Sequence, residues 1–245
     1  MSLGSYFLLS LSREIQKIKK EYDRWHSQVI SKYHDDKFYQ WVRKQAKVLP
    51  NETVLDVGCG KGEFLEVLDP TNSYRIGVDI SYVALRNARR TGISGNVDYV
   101  LADAENLPFR ESIFDKVFAL GSLEHFPNPQ KGALEIKKVL KRGGTSYIFL
   151  PNAYFLGHVY LVYKTGEPPD EGGQYFSETF ATKNGWEKLL ISSGFKILDV
   201  LKYNRISRAS RRVSSVIRNL YNLVVAPFVP MNLSYAFLFI CTKED

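Results

Sequence analysis

Three glycines at alternate positions, Gly58, Gly60 and Gly62, follow the apolar run Thr53–Val57 and precede an amphipathic stretch. Glycine is used where backbone must approach a ligand that a Cβ would block. The first N–H groups of a helix starting after Gly62 have no partner within that helix, so they favour an anion. Asp56, just before the turn, can brace the loop or meet an ammonium group through water. Asp79 ends a second apolar run, 21 positions beyond Gly58. A carboxylate there can accept hydrogen bonds from a ribose diol, or it can cap the next helix. Ser81 is available for the cap instead. These groups suit a nucleoside-type ligand.

Two further stretches carry polar groups at the expected ends of strands. One is Ala102-Asp103-Ala104-Glu105-Asn106-Leu107-Pro108-Phe109, and the other runs Leu120-Gly121-Ser122-Leu123-Glu124-His125-Phe126-Pro127-Asn128-Pro129. In an open α/β sheet the carboxyl end of a strand presents side chains to the ligand. Histidine ordinarily titrates near neutral pH, so His125 is the candidate general base. The Glu124-His125 pair can equally serve to shape the pocket or orient a loop.

The elements that must position these residues alternate between strand and helix periods, the mark of a parallel sheet. Strands are expected over Thr53–Val57, Tyr74–Asp79, Val97–Ala102, Phe114–Leu120, Thr145–Leu150, Lys196–Lys202 and Tyr235–Cys241. Helices are expected over Tyr82–Thr91, up to Leu140, and over Trp186–Ser193 with Gly194 as the cap. Gly143-Gly144 should turn the chain into the fifth strand. Residues 12–49 read as helical before the break at Pro50-Asn51-Glu52. Ile15, Ile18, Tyr22, Trp25 and Val29 recur at spacings of three and four, giving one apolar face. That face either packs on the edge of the sheet or, through Tyr22, Trp25, Tyr33 or His34, closes a pocket from above.

The motifs VLDVGCGKG, ADAENLPF, the Leu-Glu-His-x-x-Asn-Pro stretch and LKRGGTSYIFLPN together resemble the class I S-adenosylmethionine-dependent methyltransferases of the small-molecule type. The resemblance covers roughly residues 50–202 plus the last strand. It implies an α/β, Rossmann-like methyltransferase fold: seven mostly parallel strands, the last antiparallel, with helices on both faces. It implies S-adenosyl-L-methionine as cofactor and S-adenosyl-L-homocysteine as product. Asp56, Gly58, Cys59, Gly60 and Gly62 would then hold the methionine part, with Leu120 and Gly121 flanking it. Asp79, with Ile80 beside it, would take the ribose, and Asp103 and Ala104 the adenine. A nicotinamide enzyme is disfavoured, because the third glycine of its fingerprint is replaced here by Glu63.

The domain organisation expected is an N-terminal helical cap, 1–49, and a cofactor-binding domain, 50–245. Insertions at about 152–180 and 203–233 are the expected acceptor-binding or lid segments. From the first come His158 and Tyr175 as candidate substrate residues, among several aromatics; from the second comes Arg205, with Arg208, Arg211, Arg212 and Arg218 and no acid. The expected partner is a small-molecule acceptor, with an anionic substrate or a membrane surface as options for the basic run. The formal charge of +7 keeps nucleic acid on the list at lower weight, and a tRNA methyltransferase or a non-catalytic cofactor-binding protein are the alternatives. Cys59 and Cys241 have neither disulfide-framework nor metal-type spacing, so no metal site is expected and a reducing compartment is favoured. No secretory signal is read in the apolar Tyr6–Leu11. The uncharged stretch Asn219–Thr242 is broken by Pro227 and Pro230 and reads as helix end, loop and strand. The expected location is cytoplasmic, with peripheral membrane contact an option.

Overall fold

The structure is a computed structural model of the 245-residue chain and describes residues 13–28, 36–68, 71–90, 96–166, 178–204 and 215–243. Seven strands form one sheet: β1 (Thr53–Val57), β2 (Tyr74–Asp79), β3 (Val97–Leu101), β4 (Phe114–Leu120), β5 (Leu140–Pro151), β6 (Phe195–Tyr203) and β7 (Ala236–Lys243). Their order is β3-β2-β1-β4-β5-β7-β6. The pairs from β3 to β5 are parallel, and β7 runs antiparallel between β5 and β6. This is the expected Rossmann-like arrangement.

Side chains alternate across the strands, so each strand feeds two apolar layers. Leu55, Val117, Ile148 and Phe239 face a layer completed by α5 (Pro129–Val139) and α7 (Lys183–Ser192), including the fully buried Trp186. Val54, Phe118, Tyr147 and Leu238 face the opposite layer, built with α2 (Asp36–Ala46) and Phe64 and Leu68 around α3 (Glu63–Val67). The central strand β1 is buried at four of its five positions, as a strand covered on both faces must be.

The N-terminal segment divides in two. α2 ends at Ala46, four residues before the expected break at Pro50, and packs on the sheet through Val42 and Ala46. α1 (Arg13–Gln28) lies against α4 (Tyr82–Arg90) instead. Tyr33 and His34 lie outside the described residues. The fifth strand begins at Leu140, five residues earlier than expected. Leu140 pairs with Phe114 and Thr145 with Lys116, so Lys141–Gly144 bulges from the ladder. Gly143 has φ +74°, and a Cβ on Gly144 would stand 2.9 Å from the Asp115 carbonyl; the glycine pair lets the bulge form.

The two insertions form α6 (Leu156–Thr165) and α8 (Ser215–Leu220), the latter running into a π-helical turn over Tyr221–Val225. Short 3-10 turns at Ala226–Phe228 and Met231–Leu233 lead to β7, so the uncharged stretch is helix end, proline loop and strand, as read. Among the described residues no helix is long and apolar enough to cross a membrane.

Candidate functional site

A cavity of about 870 Å³ opens where the chain crosses from β1 to β2 on one side and to β4 on the other. This is the switch point at which an open parallel sheet binds ligands. Its floor is the glycine loop, its walls are Asp79–Ile80, Ala102–Glu105 and Gly121–Ser122, and its far end is His125–Pro127. Ile15, Ile18, Tyr22, Trp25 and His26 of α1 roof it. Of the two readings of the N-terminal helices, α1 fits the pocket-closing one, through Tyr22 and Trp25, while α2 covers the inner strands of the sheet rather than its edge and adds Tyr39 to the cavity lining.

The three glycines divide by what surrounds them. All have positive φ, at +76°, +54° and +80° for Gly58, Gly60 and Gly62, a region other residues enter at a cost. A Cβ on Gly58 would lie 2.5 Å from the Ser122 Cβ, and one on Gly62 would strike the Tyr99 ring. A Cβ on Gly60 would meet nothing nearer than His26 Cε1 at 3.7 Å. Gly58 and Gly62 therefore serve close packing within the protein, while Gly60 leaves space on the cavity side. The loop is tied down by the Gly58 and Cys59 amides, which both donate to the Val78 carbonyl at 2.8 and 3.0 Å.

Asp79 is held in place by the backbone. Its Oδ2 accepts from the Gly60 amide at 2.9 Å and its Oδ1 from the Ser81 amide at 2.8 Å. Each oxygen keeps a second lone pair for a ligand. Ser81 takes the capping task for α4, its Oγ accepting from the Ala84 amide at 3.1 Å. Burial is the main cause lifting Asp79 to about 6, against the two amide bonds and with Asp23 and Glu63 adding to it. Asp56, buried beneath the loop, is pushed up to about 8, first by burial and then by Glu63 and Asp79. Burial likewise drives the Cys59 thiol well above its ordinary value. The glycine end of the cavity thus gathers two carboxyl groups, Asp56 and Asp79, whose ionisation burial opposes.

Asp103 shapes its own turn, Oδ1 accepting from the Glu105 amide at 2.9 Å. The buried Glu105 then reaches Asn128, whose amide donates to Oε1 at 2.6 Å. Asn128 caps α5 by accepting from the Lys131 amide at 3.0 Å, and Pro129 takes the first turn. His125 closes a 3-10 turn over Leu123–His125, with its amide on the Ser122 carbonyl at 3.1 Å. One ligand-type atom each from Glu124, His125 and Glu178 lie within 4.8 Å of one another, although 53 positions separate His125 from Glu178 in the chain. The Glu124 carbonyl accepts from the Thr179 amide at 2.8 Å, which brings Glu178 to this end. Burial raises the Tyr22 hydroxyl far above its ordinary value, and Asp79, Glu124 and Glu178 raise it further.

Of the residues singled out by sequence, Gly58, Cys59, Gly60, Asp79, Ile80, Asp103, Ala104, Gly121 and His125 border one cavity. Asp56 lies below the loop, and Gly62 is walled off by Tyr99. Leu120 points with Phe118 into the α2 layer, because strand alternation turns it away from the cavity. His158 sits on α6 with its ring 5.1 Å from Phe155, and none of Tyr154, Phe155, Tyr160 and Tyr163 borders the cavity. Tyr175 and Arg205 lie outside the described residues. Sequence reasoning missed His26, Ser122 and Glu105. His26 stands four positions after Tyr22 on the same helical face, which is its signal. It is buried, and burial first and Lys61 second lower it to about 4, so the ring is neutral at pH 7. Ser122, whose Oγ donates to the Val57 carbonyl at 2.7 Å, and Glu105 act on distant partners and carry no local signal.

Residues 55–148 match the family described as a methyltransferase domain. An uncharacterized Methanocaldococcus jannaschii protein is 33% identical over 145 residues, 59% of this chain and 64% of that protein. The sterol 4-C-methyltransferase of Caenorhabditis elegans is 30% identical over 112 residues, 44% of this chain and 34% of that one. The tRNA (carboxymethyluridine(34)-5-O)-methyltransferase of Arabidopsis thaliana is 32% identical over 143 residues, 56% and 34% of the two chains. The chain therefore spans about a third to two thirds of the length of these relatives. Among solved structures, a Haloferax volcanii chain in complex with the Trm112 methyltransferase activator superposes with TM-score 0.68 at 17% identity, over 92% of this chain and 98% of that one. The cofactor that goes with such a domain is S-adenosyl-L-methionine, with S-adenosyl-L-homocysteine as its product. Through that match and this sheet order, residues 55–148 are similar to the methyltransferase domain of the class I S-adenosylmethionine-dependent methyltransferases.

Proposed function

We propose that this chain transfers a methyl group from S-adenosylmethionine to an oxygen, nitrogen or carbon nucleophile of a small-molecule or lipid-like acceptor. The observation that carries the reading is one continuous cavity with clustered carboxyl groups and an open glycine at one end and His125 with Glu124 and Glu178 at the other. The fit is electrostatic as well as steric: S-adenosylmethionine brings a sulfonium and an ammonium group to carboxyls that burial has made reluctant to ionise alone. In this assignment Asp79 accepts from the ribose diol, Asp103 and the Ala104 amide meet the adenine, and the Gly60 side of the loop leaves room for the methionine portion.

When bound, the cofactor supplies an activated methyl group, displaced in line with the carbon–sulfur bond breaking as the bond to the acceptor forms. The residues need only align acceptor and donor and exclude water, effects that together can lower a barrier by roughly 7–11 kcal/mol. Tyr22 and Trp25 cover the cavity, and His125 accepts the acceptor's proton where the nucleophile is a hydroxyl. The sterol methyltransferase among the relatives favours an apolar acceptor. The tRNA methyltransferase relative and the charge of +7 favour a second reading, in which the acceptor is tRNA.

Thermal shift with S-adenosylhomocysteine and with NAD tests the donor: a rise with the first alone is expected, and a rise with NAD alone overturns the reading. Incubating cell extracts and purified tRNA with radiolabelled S-adenosylmethionine and the protein, then partitioning products between solvents, tests the acceptor. Label in the organic phase is expected; label in tRNA promotes the second reading, and no transfer to any fraction despite cofactor binding leaves a binding protein.

A further inference from the structure

Gly60 is the glycine of the loop that leaves a gap toward the cavity, and two polar side chains border that gap. A Cβ there would stand 3.7 Å from His26 Cε1 and 3.8 Å from Glu63 Oε2. His26 comes from the roof helix α1, and Glu63 is the first residue of α3, so roof and floor frame the gap together.

His26 is 7% exposed, and its Nδ1 is buried without a hydrogen bond. Buried polar atoms are ordinarily paired, so an orphaned one on a cavity wall marks the place of a ligand atom. Trp25 packs edge-on against the ring at 4.7 Å, and Asp23 on the same helix is bonded to Ser81 and Val83. The packing of α1 therefore holds the imidazole at the gap. Cε1 has a nitrogen on each side, so the ring edge nearest Gly60 is the one that can donate or accept. Lys61 borders the same cavity and lies near enough to oppose protonation of His26. A neutral imidazole still donates one N–H, and Lys61 adds an ammonium group.

An imidazole, an ammonium group and a carboxylate around one gap complement an α-amino acid head, which carries a carboxylate and an ammonium on one carbon. The neighbouring elements offer no better place for such a head. α3 has five residues and opens with two acids, Glu63 and Glu66, which oppose an anion at its start. Asp56, expected from sequence to meet the ammonium, is buried beneath the loop and does not border the cavity.

We propose that His26, with Lys61, binds the carboxylate of the cofactor's methionine head and that Glu63 binds its ammonium group, so that the ligand fastens the roof helix to the glycine loop. This rests on the placement of the methionine portion beside Gly60 under the proposed function. A nucleoside lacking the amino-acid head fills the rest of the cavity but leaves that fastening unmade.

Titration calorimetry of the full chain with three ligands separates the parts of the head. They are S-adenosylmethionine, its decarboxylated form, which keeps the ammonium, and methylthioadenosine, which has neither group. The wild type should bind the first at least tenfold more tightly than the other two. His26→Ala should lower affinity for S-adenosylmethionine about tenfold, the loss expected for one hydrogen bond to a charged group, and leave the other two within about twofold. His26→Gln, which keeps a side-chain N–H, should recover part of the loss. Glu63→Gln should weaken S-adenosylmethionine and its decarboxylated form alike and leave methylthioadenosine unchanged. Hydrogen exchange in α1 should slow at saturating S-adenosylmethionine and not at saturating methylthioadenosine. An equal loss for all three ligands in His26→Ala would make the residue a packing element of the roof and overturns the proposal. Equal wild-type affinities for the three ligands, or equal slowing of exchange by both, overturns it as well. A wild type that binds none of the three overturns instead the cofactor reading on which the proposal rests.

Discussion

Asp23, on α1, caps a helix to which it does not belong. Its Oδ1 accepts from the Ser81 hydroxyl at 2.6 Å and from the Val83 amide at 3.1 Å, so the roof of the cavity is fastened to the start of α4. Ser81 in turn donates its amide to Asp79. One short chain of bonds therefore runs from the roof, through the helix cap, to the carboxylate assigned to the ribose. Burial alone would raise the Asp23 carboxyl, but bonds from Lys19, Ser81 and Val83 outweigh it and hold the carboxyl below its ordinary value.

Asp23→Ala should release α1 without touching the ligand. Loss of a helix cap costs about 1 kcal/mol, so a fall of several degrees in Tm is expected. Cofactor affinity should fall about tenfold because the roof is no longer held closed, as titration calorimetry would measure. Unchanged affinity in a folded variant would mean that α1 closes without this bond.

Asp56 and Asp79 make stability depend on pH in an unusual direction. A carboxyl whose pKa is higher in the folded than in the unfolded chain binds more protons when folded, so stability falls as pH rises between the two values. The interval runs from 3.8 to about 8 for Asp56 and from 3.8 to about 6 for Asp79. Without cofactor, the protein should lose several degrees of Tm between about pH 5 and pH 8. A cationic ligand should flatten the slope, and its affinity should fall as pH drops below about 6. Asp56→Asn should also flatten it. A variant with the wild-type slope would remove Asp56 from this account.

Gly58 and Gly60 should fail differently when each is replaced by alanine. Gly58→Ala drives a methyl group into Ser122 and should destabilise the fold by about 2 kcal/mol or more, from overpacking and backbone strain together. Adding Ser122→Gly should recover part of that loss. Gly60→Ala has only the strain of its φ, about 1–2 kcal/mol, yet should weaken cofactor binding strongly because its methyl group stands at the cavity. Melting curves with and without S-adenosylhomocysteine separate the two; equal cofactor shifts in both variants would contradict the division.

These cases show where the sequence was readable. The strands were legible because each is a short apolar run ending in glycine or a polar turn, and six of the seven strands keep both ends within two residues of expectation. β5 escaped because its first residues rejoin the ladder before the glycine pair, a pairing with Phe114 that no local pattern announces. The floor of the cavity was legible because its backbone demands glycine. Its supports were not: Asp23 finds Ser81 58 positions away, and Glu105 finds Asn128 23 positions away. The aromatics of the first insertion misled for a different reason. Their composition resembles that of a pocket wall, but α6 turns Tyr160 and Tyr163 to the outside.

His125 offers the sharpest remaining distinction, between a base and a wall. If it takes the acceptor's proton, His125→Asn should lower kcat about 100-fold or more, leave cofactor affinity within about twofold, and abolish the acid limb of the pH–rate profile. A positioning role predicts a different pair of results: a rise in acceptor KM and a pH–rate profile of unchanged shape. A nucleophile already ionised in solution bypasses any base. An acceptor series of falling pKa should therefore erase the His125→Asn defect progressively if the residue moves a proton, and leave it constant if the residue only shapes the site.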